Sequence, residues 1–238
     1  MSHCFSSRSL LTFMVLMGTL LSPVMGESRD AGAKGKKSKP QLRFVCLSSL
    51  EPEQEVLLAS RDAEGKWLEH GTVQLKTPLI TDWLPAATGE LHVALREGQT
   101  LKSIGQFQYP AGARRTLVVL NANAEKNAYE ATAIDPEKAG FVKGSVLIFN
   151  FSPHVGTVML GTKEEKVEVG QQLVINPTVE ANEMYRMMVS SPDASGKAVP
   201  CYDRYVSRNP NSRSMLFLLP DKTLALKVLS LPLFGDFK

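Results

Sequence analysis

Three arginines stand close together in the sequence around a predicted corner of the chain. Arg204, Arg208 and Arg213 flank residues 209–211, an Asn-Pro-Asn turn. A guanidinium group presents its N–H donors as a planar fork that matches a carboxylate or a phosphate group. The spacing therefore predicts a site for a small anion, and solvated charges at the end of a loop are the alternative.

Aromatic side chains offer a second kind of binding chemistry. Trp67 and Trp83, with Tyr109, Tyr202 and Tyr205, could form a flat platform for a sugar ring. Such rings bury apolar area and form hydrogen bonds at their edges. Packing in the core is the alternative, because the chain contains few aromatic residues and two sandwich units would need most of them for their cores.

Catalytic chemistry finds little support in the sequence. His70, His92 and His154 are candidates for a general base, but none neighbours a G-x-S-x-G nucleophile elbow. The sequence has no H-E-x-x-H, C-x-x-C or calcium-loop motif and no Gly-rich phosphate cradle after a strand. We therefore predict a protein that is not an enzyme and uses no metal or cofactor.

The elements that would position these residues are short apolar runs. They recur about every 8–12 residues, separated by Gly, Pro and Asn, which is typical of strands in a sandwich or barrel. A basic residue, a hydroxyl residue and an apolar run begin at Arg115 and again at Arg213. Each run is followed by a polar turn and a second apolar run, which predicts a β-hairpin used twice.

No long stretch has the apolar stripe of a helix. The sequence therefore predicts an all-β protein of two tandem immunoglobulin-like antiparallel β-sandwich units, residues 41–135 and 141–238, related by internal duplication.

Residues 1–26 have the features of a secretory signal peptide. Arg8 gives a weakly basic start, residues 10–21 are apolar, and Gly26 is a small residue suited to cleavage. The apolar segment is shorter than the about 20 residues that cross a membrane. We predict a secreted or periplasmic protein with no transmembrane segment after the signal is cleaved.

The charge of the chain is concentrated outside the predicted fold. Residues 27–40 hold five basic and two acidic residues and are predicted to be a disordered basic linker. Residues 41–238 hold 21 Lys and Arg against 22 Asp and Glu, so this part is nearly neutral. A nucleic-acid partner is not expected, because such binders carry a basic face on the folded domain.

Two cysteines, Cys46 and Cys201, follow the predicted signal. Export permits a disulfide between them, which would join the two units. Two buried free thiols are the alternative, because Cys46 lies in an apolar run typical of a packed core.

These features predict an exported non-catalytic binding or scaffold protein of the cell envelope or extracellular space. Its partner would be an unidentified protein or glycan, met at loop ends or sheet edges. A carbohydrate-binding module that uses exposed aromatic residues is the alternative.

Overall fold

The computed structural model describes residues 39–193, 195–222 and 226–234, without the side chains of Leu79 and Phe234. The predicted signal peptide, residues 1–26, lies outside the described residues, as does the predicted linker, residues 27–40, except for its last two residues. Within the described residues, no helix has the length and apolar character needed to cross a bilayer.

Seventeen β-strands and no helix make up the described part of the chain, which confirms the predicted all-β class. The strands are β1 (Gln41–Cys46), β2 (Gln54–Arg61), β3 (Trp67–Leu75), β4 (Leu79–Ile80), β5 (Leu84–Pro85), β6 (Glu90–Glu97), β7 (Thr100–Gln108), β8 (Arg115–Asn123), β9 (Ala128–Ile134), β10 (Val146–Asn150), β11 (Gly156–Leu160), β12 (Lys163–Val167), β13 (Gln172–Ile175), β14 (Met184–Pro192), β15 (Ala198–Ser207), β16 (Ser212–Pro220) and β17 (Leu226–Phe234).

The strands form four sheets, two from each half of the chain. In the first half, outer sheet 1 has the order β3-β2-β6-β7, and inner sheet 1 has the order β4-β1-β8-β9 with β5 also paired to β1. In the second half, outer sheet 2 has the order β12-β11-β14-β15, and inner sheet 2 has the order β13-β10-β16-β17. The strand order of the second pair of sheets thus matches that of the first pair.

Both predicted hairpins are present in the inner sheets. β8 pairs antiparallel with β9, and β16 pairs antiparallel with β17. Each hairpin joins its sheet through a parallel pairing, of β8 with β1 and of β16 with β10. The prediction of purely antiparallel sheets is therefore wrong at these two pairings. Parallel neighbours need a long connection, and the strands of the outer sheets lie within it.

The central strands of the inner sheets, β1, β8, β10 and β16, are buried on both faces. In β8, Val118 and Leu120 face the core between outer sheet 1 and inner sheet 1, whereas Leu117 and Val119 face the opposite side. Successive side chains of a strand point to opposite faces, so a strand covered on both sides has a continuous apolar sequence. This double burial explains the apolar runs of β8 and β16, the first strands of the two hairpins.

A central core fills the space between the two inner sheets. Its eleven buried side chains come from both halves of the chain and are Val45, Leu47, Leu117, Val119, Ile134, Phe141, Leu147, Phe149, Met215, Phe217 and Leu233. The sheets therefore stack in the order outer sheet 1, inner sheet 1, inner sheet 2, outer sheet 2, and the described residues belong to one compact unit. The halves are joined by packing as well as by the chain.

The connection between the halves is a hydrogen-bonded turn. Asp135 Oδ1 accepts hydrogen bonds from the backbone N–H groups of Glu137 at 3.0 Å and Lys138 at 3.1 Å. Phe141 then enters the central core, with only 2% of its surface exposed. The two hydrogen bonds and the buried Phe141 side chain therefore hold this connection against the central core.

Candidate functional site

The three predicted arginines do not form one cluster. Arg204 is exposed on β15 of outer sheet 2, whereas Arg213 is 9% exposed on β16 of inner sheet 2. Arg213 Nε donates to the carbonyl oxygen of Phe141 at 2.8 Å, and Arg208 Nη1 donates to the carbonyl oxygen of Val179 at 2.5 Å. Arg208 and Arg213 therefore hold the backbone of neighbouring segments, and the predicted shared anion site is not assembled.

Arg208 does border a small polar space of about 20 Å³. Its Nε is buried and has no hydrogen-bond partner in the described part of the chain. The hydroxyl groups of Ser145 and Ser207 also border this space, and they donate to the carbonyl oxygens of Val142 and Asn182. They can therefore offer only acceptors to a guest. One water molecule suits this space better than an anion does.

The two tryptophans lie in different layers. Trp67 begins β3 in outer sheet 1, and the guanidinium carbon of Arg61 is 4.2 Å from its ring centroid. Trp83 packs against the central core, with the guanidinium carbons of Arg43 and Arg115 at 4.6 and 5.0 Å from its ring. The tryptophans therefore do not form one platform.

The tyrosines do not complete a platform either. Tyr109 is 1% exposed in the core of the first pair of sheets, and Tyr202 packs against the core of the second pair. Tyr205 is 70% exposed on β15. Of the five predicted aromatic residues, Tyr205 alone presents most of its side chain to solvent.

His92 lies in a polar group on the outward face of outer sheet 1. Its Nδ1 is 3.0 Å from Ser103 Oγ, and its ring packs edge-on against Trp67 at 5.0 Å. The Ser103 hydroxyl also lies 3.2 Å from the carbonyl oxygen of Gly105. Nε2 of His92 lies 3.1 Å from Glu90 Oε1. The ring is thus held between a hydroxyl group and a carboxylate on the outward face of the sheet.

The possible disulfide between Cys46 and Cys201 is not formed, and both residues are free thiols. Cys46 lies in the core of the first pair of sheets, and Cys201 packs against the core of the second pair. Stacked sheets are about 10 Å apart, so the two cores are separated by about 20 Å. A disulfide needs Cα atoms within about 7 Å.

We expect the two thiols to differ strongly in reactivity in the folded protein. Burial raises the pKa of Cys46 to about 11 and also raises the pKa of the partly exposed Cys201. The thiolate is the reactive form, so alkylation at pH 8 should modify Cys201 first and Cys46 only after unfolding. Intact mass after timed alkylation measures this order. Equal rates of modification in the folded protein would contradict the burial of Cys46.

A cleft of about 380 Å³ opens at one end of outer sheet 2. Its lining includes three hydroxyl residues, Thr157, Ser190 and Ser191, and two charged residues, Lys166 and Glu168. Val155, Pro192 and Ala198 add an apolar wall. Ser190 and Ser191 are only 5% and 4% exposed, and the Ser191 hydroxyl donates to the carbonyl oxygen of Val155 at 3.4 Å. The lining is mixed in character and close to neutral in total charge.

Asn150 fixes the wall formed by the loops after β10 and β12. This side chain is 1% exposed, and its Nδ2 donates to the carbonyl oxygens of His154 at 2.8 Å and Val167 at 2.9 Å. Its Oδ1 accepts from the backbone N–H of Ser152 at 2.9 Å, and the Ser152 hydroxyl lies 2.7 Å from this oxygen and 2.8 Å from the carbonyl oxygen of His154, to either of which it can donate. The segments that carry Val155 and Glu168 are therefore tied together.

Asp193 fixes the opposite wall, in the turn between β14 and β15. Its Oδ1 accepts from the backbone N–H of Ser195 at 2.8 Å and of Lys197 at 2.9 Å, and from the Ser195 hydroxyl at 2.6 Å. These bonds lower the pKa of the Asp193 carboxyl, with the Ser195 hydroxyl as the largest cause. The ionised carboxylate therefore braces the turn that precedes Ala198.

Comparison with known proteins gives no family. No protein-family model and no curated protein sequence matches the chain. Among solved structures, a leucine-rich repeat protein from Bacteroides thetaiotaomicron overlaps 71% of this chain at 10% sequence identity. The overlap covers 24% of that protein's chain with a TM-score of 0.23, which is too low to support any argument about fold or function.

Proposed function

We propose that the chain is an exported non-catalytic binding protein of the cell envelope or extracellular space, and that the cleft holds a small polar ligand. The predicted signal peptide supports export. The observation that supports binding most directly is the hydrogen-bonded wall built on Asn150, which shapes the cleft before any ligand arrives. A site formed in advance avoids much of the entropy cost of ordering loops on binding.

The size and mounting of the cleft agree with this proposal. Small-molecule sites usually enclose about 300–1,000 Å³, and this cleft has about 380 Å³. Its loops are attached to four packed sheets, and binding residues are commonly placed on loops held by such a rigid scaffold.

Strand addition at the edges of outer sheet 2 is a less suitable mode of binding. The edge strand β12 carries the charged sequence Lys-Glu-Glu-Lys at residues 163–166. The edge strand β15 contains Pro200, which has no backbone N–H, beside the register shift between Val189 and Ser190 of β14. Charges, proline and bulges of this kind discourage pairing with another strand. The proposal therefore places the ligand contacts in the cleft.

We also propose the predicted origin of the fold, a duplicated immunoglobulin-like unit. The matching strand order of the two sheet pairs supports duplication, including the parallel pairing of the first strand with the hairpin in each half. Deleting residues 141–238 would not test this origin, because the central core joins the halves.

Carbohydrate binding is the second candidate. The observation that favours it is the exposed ring of Tyr205 beside the bidentate pair of Arg186 and Asp203, whose atoms approach to 2.6 and 2.9 Å. An exposed ring with polar groups next to it can hold a sugar. This surface lies on β14 and β15, outside the residues that line the cleft.

A thermal-shift panel of small polar compounds tests the proposed function. We expect at least one compound to raise the Tm of residues 27–238, since a ligand at about 100 times its Kd stabilises by about 2.7 kcal/mol. The effect should be lost in Ala198→Trp and in Thr157→Phe, which place a ring in the cleft. The compound should be recovered chemically unchanged. Equal shifts in the filled variants, conversion of the compound, or no shift with any compound would contradict the proposal.

A further inference from the structure

We infer that the ligand of the cleft is a small zwitterion, of the size of an amino acid or a dipeptide. Its carboxylate would bind Lys166, and its ammonium group would bind Glu168. This inference rests on the proposed binding function and names the chemical class of the ligand.

The first observation is the pair of opposite charges on one wall. Lys166 and Glu168 flank Val167, which is fully buried in the core of the second pair of sheets. Lys166 belongs to β12, where neighbouring side chains point to opposite faces, so Lys166 projects away from the core that Val167 enters. Glu168 is the first residue after β12, and both charged residues are exposed. Both residues line the cleft, and neither forms an ion pair within the described ranges. The cleft thus offers one cation and one anion to a guest.

The second observation is a row of hydrogen-bonding groups that continues from Lys166. Thr157 of β11 pairs with Lys166 of β12 on one side and with Ser190 of β14 on the other. Directly opposed residues share a face of the sheet and stand about 5 Å apart. A carboxylate on Lys166 can therefore also accept hydrogen bonds from the Thr157 and Ser190 hydroxyl groups.

The third observation is the apolar wall opposite the charges. Pro192 and Ala198 face each other in the register of β14 and β15 and offer a small apolar surface. This surface fits a short aliphatic side chain better than a charged one. The residues that line the cleft include no aromatic ring on which a sugar could stack. A simple anion or cation would leave one of the two charged residues without a counter-charge.

Isothermal titration of residues 27–238 with L-alanyl-L-alanine tests the inference. Two matched probes each lack one charge: N-acetyl-L-alanyl-L-alanine has no ammonium group, and L-alanyl-L-alaninamide has no carboxylate. We expect saturable binding of the dipeptide and binding weaker by about tenfold or more for each blocked probe, because each lacks one charged hydrogen bond.

Variants assign each charge to its residue. Lys166→Gln should lower the affinity for the dipeptide by about tenfold without changing the affinity for the amide. Glu168→Gln should lower the affinity for the dipeptide without changing the affinity for the acetylated probe. Lys163→Gln is the matched control, because Lys163 lies on the same strand and pairs with Glu165 at 3.6 Å outside the cleft. It should leave the affinity for the dipeptide unchanged.

The outcomes separate this inference from the proposed function. Absence of dipeptide binding overturns the zwitterion, as does equal affinity for the blocked probes or insensitivity to both charge variants. The proposed function would still stand if another compound from the thermal-shift panel bound the wild type and not Ala198→Trp. If no compound of the thermal-shift panel binds the wild type in this way either, both proposals are wrong.

Discussion

Replacing Phe217 with alanine is expected to lower the free energy of unfolding by about 3–5 kcal/mol. The side chain is fully buried in the central core, where its ring stacks on those of Phe149 at 5.6 Å and Phe151 at 6.4 Å. Removing it takes away apolar burial and leaves a cavity between two sheets that are packed on both faces.

The position of the tryptophans makes this variant a test of coupling between the halves. Trp67 and Trp83 both lie in the first half, whereas Phe217 lies in the second half. In a Trp83→Phe background, Trp67 reports on outer sheet 1 alone. If the central core makes the halves one cooperative body, Phe217→Ala will shift the Trp67 fluorescence transition as much as the circular dichroism transition.

Val169→Ala provides the control for this experiment, because Val169 is 57% exposed in the same half of the chain. It should change the free energy of unfolding by no more than about 0.5 kcal/mol. Two separate transitions, with the Trp67 transition unmoved by Phe217→Ala, would contradict a single cooperative body.

The second large effect is expected at Asn150. Asn150→Ala removes the donors to the carbonyl oxygens of His154 and Val167 and the acceptor of the Ser152 N–H group. The Ser152 hydroxyl can still donate to the carbonyl oxygen of His154 at 2.8 Å. Leaving a buried polar group without a partner costs about 1–3 kcal/mol. Partial access of water to the loops will reduce the summed cost of the unpartnered groups. We therefore expect the free energy of unfolding, measured in urea, to fall by about 2–5 kcal/mol.

Asn123→Ala is the matched control for Asn150→Ala. Asn123 also uses both ends of its amide, with Glu130 at 2.9 Å and the Lys126 N–H at 3.1 Å, but these bonds lie in a hairpin that water reaches. Its replacement should cost less than about 1 kcal/mol. Equal costs at the two positions would show that the Asn150 bonds are not what holds the wall of the cleft.

The strands and hairpins could be predicted because their signals are local. Alternation, β-branched residues and turn residues mark each strand, and β16 ends at Pro220, directly before Asp221. The pairing of β1 with β8 and the central core could not be predicted in the same way. An apolar run such as residues 117–120 indicates burial on both faces, but it does not identify which sheet covers each face.

The candidate site was harder to predict, because nearness in sequence is not nearness in the fold. Arg204 and Arg213 are nine residues apart in the chain and lie in different sheets. Asn150 does carry a local signal, since it is a polar amide that ends the apolar run of β10 and precedes Phe151 and Ser152. That signal indicates a buried polar anchor, but only the fold shows that the anchor shapes a cleft with Lys166 and Glu168.

The central claim is that a prebuilt cleft in outer sheet 2 binds a zwitterion. The NMR chemical shifts of the backbone amides during titration with L-alanyl-L-alanine test this claim most directly. We expect saturable shifts at Lys166, Glu168, Ser190 and Ser191, and none at the Trp67 indole or at Tyr205. No saturable shift at the four cleft residues, or shifts centred on Trp67 or Tyr205 instead, would contradict the claim.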